Sequence, residues 1–213
     1  MKTNTTSVVT DDSSSSFSRP KVVCDFLGGY EPPINVARIA EEMLDSVPPK
    51  FLNGLAEVVL TNTAGLPRKL RRSVTKSRGR KVRKASSLGL YHPAWNNHQA
   101  WIQIYVDNTL KYWAEWFWFF LPIVRRMAVA GVLFHEIGHH IHFTTRPEHR
   151  EREDVADDWK DKLSNNYFRS RYPWLKNALR PFMPFLTRYT RAKAGSLYQS
   201  GTISRHEYEK SKK

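Results

Sequence analysis

The sequence predicts an α+β fold, in which a small antiparallel or mixed sheet of about three strands packs on helices. Short apolar segments with strand-like spacing occur at residues 55–60, 86–91 and 100–106. Longer stretches with apolar residues at helical spacing occur at residues 33–45, 123–143 and 152–167. We therefore expect one N-terminal helix before the strands and two helices after them. The turn at Asn96 and Asn97 favours antiparallel pairing of the last two strands.

Composition divides the 213 residues into three parts. Residues 1–20 are rich in Ser and Thr and are expected to form a disordered tail. Residues 21–168 contain enough apolar side chains for one folded domain. Residues 169–213 are basic and interrupted by prolines, which predicts a helical C-terminal extension made of short helices.

The formal net charge of +14 favours anionic partners such as nucleic acid or an acidic membrane surface. Cys24 is the only cysteine, which excludes an internal disulfide and a zinc site made of paired thiolates. The absence of disulfides, together with a polar N-terminus that lacks the apolar core of a secretory signal, predicts a cytoplasmic protein. Attachment to the periphery of a membrane stays open.

The most basic segment of the chain, residues 68–84, is expected to be a mobile loop because it has almost no apolar residues. Two interpretations stay open, namely a solvated insertion and a contact with nucleic acid or another anionic partner. Without aromatic residues, such a contact would be made to phosphates rather than to stacked bases. The ten basic residues are Arg68, Lys69, Arg71, Arg72, Lys76, Arg78, Arg80, Lys81, Arg83 and Lys84.

A run of aromatic residues at 113–120 precedes the second helical stretch. The run is too short to span a bilayer, and Arg125 and Arg126 follow it closely. It predicts a buried aromatic layer beside the next helix, with an interfacial membrane anchor as the alternative.

Two histidines that are four residues apart, His135 and His139, lie on one face of the helix predicted at 123–143. That spacing lets both imidazoles bind one metal ion, and Glu136 between them is placed to act on a water molecule held by the metal. This His-Glu-x-x-His signature resembles that of the zincin metallopeptidases. Residues 127–134 are apolar or glycine, so the helix is expected to be buried.

A catalytic zinc site needs a third protein ligand. The metzincin pattern requires glycine at 142 and histidine at 145, and it is excluded by His142 and Thr145. His142 cannot share an ion with His135, because seven helical residues rise about 10 Å. His140 points away from the metal face, so both extra histidines are expected to face solvent or to support the ligands.

The acidic helix that follows offers the third ligand. In the pattern Glu-x-x-Ala-Asp at residues 153–157, Glu153 and Asp157 share one face, and the small Ala156 allows close approach of the metal helix. We expect Glu153 to bind the metal and Asp157 to accept a hydrogen bond from a ligand imidazole. The other carboxylates of this helix that could replace Glu153 as ligand are Glu151, Asp154 and Asp157.

The two motifs together resemble the gluzincins, especially the minimal kind found in prenyl-protein endopeptidases and small bacterial metallopeptidases that cleave repressors. The resemblance covers residues 86–163. It implies a zincin-like fold, a Zn²⁺ cofactor bound by His135, His139 and Glu153, Glu136 as the general base, and Asp157 as a supporting carboxylate. The implied reaction is hydrolysis of peptide bonds in a protein or peptide substrate by a metal-bound water that Glu136 deprotonates.

The strand at residues 100–106 resembles the edge strand with which zincins pair an extended substrate. Candidate donors to the oxyanion of the transition state are Tyr91, His92, Tyr105, Tyr167 and His206. Two other functions stay open: a DNA-associated protease that uses the basic segment, and a non-catalytic basic protein that binds nucleic acid or a membrane surface.

Overall fold

The computed structural model describes residues 19–64, 66, 69, 72–77, 80–83, 86–114, 122–145 and 152–174. Most of the predicted N-terminal tail, the aromatic run from residue 115 onward and the predicted extension beyond residue 174 lie outside these residues. The described residues form an α+β fold with a mixed sheet of four strands and with four helices, which confirms the predicted class.

Six strands are present among the described residues. They are β1 (Lys21–Asp25), β2 (Leu55–Thr61), β3 (Val74–Ser77), β4 (Arg80–Arg83), β5 (Gly89–His92) and β6 (Ala100–Tyr105). Four of them form one sheet in the order β1-β2-β6-β5. β1 and β2 pair in parallel, β2 and β6 pair in parallel, and β5 is antiparallel to β6.

The sheet differs from the prediction in its number of strands and in the identity of its edge. β1 was not predicted, and β6, the predicted edge strand, lies between β2 and β5. β5 is the edge strand beside β6 among the residues that the structure describes. The alternation in β6 that buries Ile102 and Ile104 is the same for an edge strand and an interior strand, so the pattern did not distinguish them.

The hairpin between β5 and β6 confirms the predicted antiparallel pair. Asn96 and Asn97 form its turn with φ angles of 44° and 65°, both in the left-handed region. Asparagine tolerates this region better than most residues do, and two consecutive residues there match the right-handed twist of the flanking strands.

The basic segment is not entirely a mobile loop, which corrects the prediction. β3 and β4 pair as an antiparallel two-stranded ribbon, with Lys76 opposite Lys81 and Thr75 opposite Val82. The prediction considered only whether the segment could form a packed core, whereas backbone pairing in a hairpin can form without one. Four of the ten basic residues lie outside the described part of the chain, namely Arg68, Arg71, Arg78 and Lys84.

The four helices are α1 (Val36–Asp45), α2 (Val106–Ala114), α3 (Pro122–Thr145) and α4 (Glu153–Arg171). Asn35 caps α1, because its side-chain oxygen accepts a hydrogen bond of 3.0 Å from the backbone N–H of Arg38. Arg126 of α3 donates to Glu42 of α1 at 2.6 Å, which joins these two helices.

The core lies between one face of the sheet and the helices. Val58, Leu60 and Ile102 of the sheet are fully buried, as are Leu133 and Phe134 of α3. The buried character predicted for residues 127–134 of α3 is therefore confirmed for most of them, whereas Met127 is exposed and Gly131 is partly exposed. Burial places the central part of this helix, which carries the His-Glu-x-x-His signature, directly in the domain interior.

The chain divides into two compact units, Met1–Ser164 and Asn165–Lys213. In the second unit, the described residues include a series of neighbouring aromatic rings with centroids 5.0 to 6.4 Å apart, formed by Tyr167, Phe168, Tyr172 and Trp174. Within the described parts of the chain, no helix combines the length and the apolar character that crossing a membrane requires.

Candidate metal centre

Three side chains from two helices converge at one point. His135 and His139 of α3 bring their Nε2 atoms to 3.2 Å from each other. Oε2 of Glu153, in the first turn of α4, lies 3.3 Å from Nε2 of His135 and 3.8 Å from Nε2 of His139. With their donor atoms all within 4.8 Å of one another, these three predicted ligands could hold a metal ion.

The two helices reach this distance because small residues meet at their crossing. A Cβ atom added to Gly138 would lie 2.7 Å from the backbone oxygen of Ala156 and 2.8 Å from its Cα atom. Ala156 was predicted to allow close approach, and the structure brings its backbone against α3. Gly138 was not predicted, although a glycine inside the His-Glu-x-x-His signature is a signal of close packing.

Asp157 orients one of the imidazoles. Nδ1 of His135 donates to Oδ1 of Asp157 at 3.1 Å, which leaves Nε2 of the neutral ring with a lone pair toward Glu153 and His139. Nζ of Lys160 donates to the same carboxylate oxygen at 2.8 Å. Asp157 thus occupies the predicted supporting position, and Lys160 is an additional contact that the sequence analysis missed.

The carboxylates determine the protonation of His135. Burial by itself would lower the pKa of His135, but hydrogen bonds to Asp157 and Glu153 outweigh it and raise the pKa to about 9. For Asp157 the effect of burial has the opposite sign, because burial alone would raise the pKa of a carboxyl group. The hydrogen bonds from His135 and Lys160 outweigh it and hold the pKa of Asp157 well below its usual range. Asp157 is therefore a carboxylate at neutral pH.

The second imidazole has the opposite shift. Burial, followed by the positive charge of His135, lowers the pKa of His139 to about 4. At neutral pH His139 is therefore neutral, which is the form that binds metals. A metal ion that enters the site has to displace a proton from His135 only.

Glu136 lies beside the edge strand β5. It is 7% exposed, and its carboxylate packs beneath Gly89. A Cβ atom at Gly89 would lie 2.7 Å from Oε1 of Glu136 and 2.8 Å from Cγ1 of Val132. Gly89 was not predicted to belong to the site, although a glycine inside a short strand commonly marks close approach of another group.

His140 and His142 do not face solvent, which corrects that part of the prediction, because they are 1% and 3% exposed. Nε2 of His140 donates to the backbone oxygen of Asn53 at 3.0 Å, and Nδ1 accepts from the Tyr91 hydroxyl at 3.2 Å. Burial lowers the pKa of His140, so its neutral form joins α3 to β5 and to the residues before β2.

The structure shows four of the five candidate oxyanion donors. The Tyr91 hydroxyl forms a hydrogen bond with His140, and the His92 ring stacks on the Trp101 ring with centroids 3.9 Å apart.

The other three candidates are Tyr105, Tyr167 and His206. Tyr105 is buried, and burial raises the pKa of its hydroxyl. Tyr167 belongs to the second compact unit. His206 lies outside the described residues.

The alternatives to Glu153 as third ligand are less well placed. Asp154 is exposed and pairs with Arg152. Asp157 contacts Nδ1 of His135 instead of the converging Nε2 atoms. Glu151 lies outside the described residues. Among the residues that the structure describes, Glu153 is the carboxylate grouped with both histidines.

Comparison with known proteins gives no relative. No protein-family model matches the chain, and neither the curated proteins nor the solved structures that were searched contain a match. What this centre does therefore has to be argued from its own chemistry.

Proposed function

We propose that this chain is a zinc-dependent peptidase in which His135, His139 and Glu153 bind the metal and Glu136 is the general base. The observation that carries the proposal is the convergence of these three donor groups at one point, with Glu136 adjacent in sequence to the first ligand. The burial of α3 around the site, and the packing of the buried Ala156 of α4 against Gly138, provide the rigid support that such a centre requires.

The set of donor atoms favours zinc. Two imidazole nitrogens and one carboxylate oxygen suit Zn²⁺, and three protein ligands leave a further coordination position open, as in catalytic rather than structural zinc sites. When bound, zinc supplies a Lewis acid that activates water and polarises a carbonyl group. The hydrogen bond from His135 to Asp157 supports this assignment, because outer carboxylates typically orient ligand imidazoles.

Glu136 carries the proton transfers in this proposal. Its carboxylate takes a proton from the attacking water and later gives it to the leaving amine of the peptide. The close approach of Gly89 to the Glu136 carboxylate limits where that carboxylate can lie, so the base is held in position before substrate arrives.

The substrate is expected to be an extended peptide segment. β5 is an edge strand, and a peptide can add to such a strand through backbone hydrogen bonds. Since Gly89 lies against Glu136, a peptide bound along β5 would pass beside the proposed base. β5 therefore replaces β6 as the proposed substrate-binding strand.

Metal binding is tested by measuring zinc per chain after dialysis against buffered zinc. We expect one zinc ion per chain in the wild-type protein and in Glu136→Gln, and loss of that ion in His135→Ala. Asp161→Asn is the matched control, because this carboxylate lies on α4 with 71% of its side chain exposed. If His135→Ala keeps its zinc ion, the assignment of the ligands is wrong.

Peptidase activity is tested by profiling newly formed peptide termini in a cell extract. The wild-type protein should generate new termini, and Glu136→Gln should reduce them by at least about a hundredfold while retaining zinc, because general-base catalysis contributes on this order. Identical profiles for the two proteins would exclude the peptidase reaction even if zinc binds. A chain that binds zinc without cleaving anything would be a binding protein.

A further inference from the structure

We propose that the two-stranded ribbon of β3 and β4 is a docking element for double-stranded DNA, which it binds through the phosphate backbone without sequence preference. This inference concerns a second site and does not depend on the peptidase reaction. It starts from the finding that the most basic part of the chain contains paired strands.

The backbone register of the ribbon places basic residues on both strands. Lys76 lies directly opposite Lys81, and Ser77 lies directly opposite Arg80. Both strands of the ribbon therefore contribute basic residues, and no acidic residue lies within either strand. The net positive charge of the ribbon would be complemented by an anionic partner.

The sequence around the ribbon provides no acidic residues to neutralise it. Between Glu57 and Asp107 the chain contains no Asp or Glu, while all the Lys and Arg residues of that interval lie within 68–84. The positive charge is therefore concentrated in one part of the chain. Such a concentration is the electrostatic signature expected of a nucleic-acid contact.

The shape and composition of the ribbon favour duplex DNA over other anionic partners. A two-stranded β-ribbon fits the major groove of B-form DNA, whereas the major groove of duplex RNA is too deep and narrow to admit side chains. Residues 68–84 contain no aromatic side chain, which disfavours both base stacking and insertion into a membrane interface. Thr75 and Ser77 add hydroxyl groups of the kind that bind phosphates.

The test measures binding of the full chain to a fluorescent duplex DNA of mixed sequence, by anisotropy, over a range of KCl concentrations. We expect the logarithm of the binding constant to fall linearly with the logarithm of salt concentration. Replacing two phosphate-binding lysines in the double variant Lys76→Gln and Lys81→Gln should lower that slope by about 2 and weaken binding by about tenfold.

The control is a second double variant with the same change in net charge, Lys21→Gln and Lys111→Gln. Both of these lysines are exposed and lie outside the ribbon. We expect the control to bind DNA like the wild-type protein, and thermal unfolding should show that both variants are folded. Equal loss of binding in the two variants would overturn the proposal, because it would show that only the total charge matters.

Four unlabelled competitors distinguish the possible partners. Unlabelled duplex DNA should displace the labelled duplex, whereas duplex RNA, single-stranded DNA and vesicles containing one third phosphatidylserine should displace it poorly. Displacement by duplex RNA or single-stranded DNA as effective as that by duplex DNA would overturn the assignment to the DNA groove. Stronger displacement by the vesicles would identify a membrane surface as the partner instead.

Discussion

Gly89 illustrates how a missing side chain positions the proposed base. A methyl group added to its Cα atom would overlap the side chains of both Glu136 and Val132. The edge strand can therefore approach α3 only because residue 89 is a glycine. The sequence motif identifies Glu136, but it does not contain the residue that limits where the carboxylate lies.

Gly89→Ala should reduce peptidase activity by about a hundredfold, because displacement of a catalytic group by about 1 Å can cost that much. Zinc content should be unchanged, since the atoms nearest to the added Cβ belong to Glu136 and Val132, neither of which is a proposed ligand. Gly131→Ala is the matched control, because an added Cβ there meets nothing within 4 Å. Activity in Gly89→Ala equal to that of the control would show that this contact does not position Glu136. The measurement is the initial rate of peptide cleavage at equal zinc loading.

Protonation of His135 is expected to make the proposed zinc binding depend on pH. The pKa of about 9 means that the folded, metal-free protein holds a proton there at neutral pH. That proton stabilises the metal-free fold below the ordinary pKa of 6.5, and the contribution is lost as the pH rises through about 9. Zinc needs the neutral imidazole, so the metal and the proton compete.

We expect zinc binding at pH 7.5 to release about one proton, and zinc affinity to rise about tenfold per pH unit up to about pH 9. Calorimetric titration in buffers of different ionisation enthalpy measures the protons released. Asp157→Asn should release fewer protons, because it removes the charge of a carboxylate that raises the pKa of His135. Binding that is independent of the buffer would contradict this protonation state.

At the residue scale, the sequence was sufficient to predict contacts between side chains that are close together in the chain. His135 with His139, and Glu153 with Asp157, are pairs four residues apart on a helix, so their shared faces could be read directly. His140 could not be assigned in this way, because its partners Tyr91 and Asn53 are 49 and 87 residues away in the chain. Its burial is a result of tertiary packing.

At the scale of elements, the contact between α3 and α4 sets the distance between the ligands. Gly138 lies one residue before His139, and Ala156 lies one residue before Asp157. Any change in the separation of the helices at this point therefore moves Glu153 and Asp157 relative to the two imidazoles. We therefore expect helix spacing and metal affinity to be coupled through these two small residues.

Gly138→Ala should push the helices apart, since its new Cβ would lie less than 3 Å from the backbone of Ala156, which cannot rotate away. We expect a loss of about 1–3 kcal/mol in the free energy of unfolding and weaker zinc binding. Gly131→Ala in the same helix should instead gain about 0.5–1 kcal/mol, because alanine favours a helix interior. Denaturant unfolding and competition with a chromogenic zinc chelator measure the two effects. Unchanged zinc affinity in Gly138→Ala would contradict the proposed coupling.

The sequence predicted individual strands but not all of their pairing partners. The strands β2, β5 and β6 were predicted from apolar spacing, and the turn at Asn96 and Asn97 identified the antiparallel pair. Parallel pairing of β2 with β6, and of β1 with β2, joins segments that are distant in the chain. No local signal specifies such partners, so the edge strand could not be identified from sequence.

At the scale of the whole molecule, the two proposals assign the positive charge and the metal centre to separate parts of the chain. The net charge of +14 is concentrated in part between residues 68 and 84, whereas the proposed site is built from residues 135–157. If both sites act, DNA would increase the local concentration of protein substrates that are bound to the same duplex.

Duplex DNA should therefore accelerate cleavage of a DNA-bound protein by about a hundredfold at low salt, and it should leave cleavage of a short free peptide unchanged. The acceleration should fall by up to about tenfold at subsaturating DNA in the double variant Lys76→Gln and Lys81→Gln, in line with its weaker DNA binding, and this variant should keep its activity on the free peptide. The measurement compares rates for the two substrates with and without DNA. Equal acceleration of both substrates would indicate direct activation rather than tethering.

The order in which parts of the chain meet has a consequence for folding. His135 and Glu153 are only 18 residues apart, so closing the loop between them costs little entropy, whereas Val58 and its partner Ile102 in the sheet are 44 residues apart. The contact between α3 and α4 therefore has a loop-closure cost about 0.8 kcal/mol smaller than the pairing of β2 with β6. If zinc binds at the proposed site, it links residues of both helices, and we expect it to favour this contact during folding.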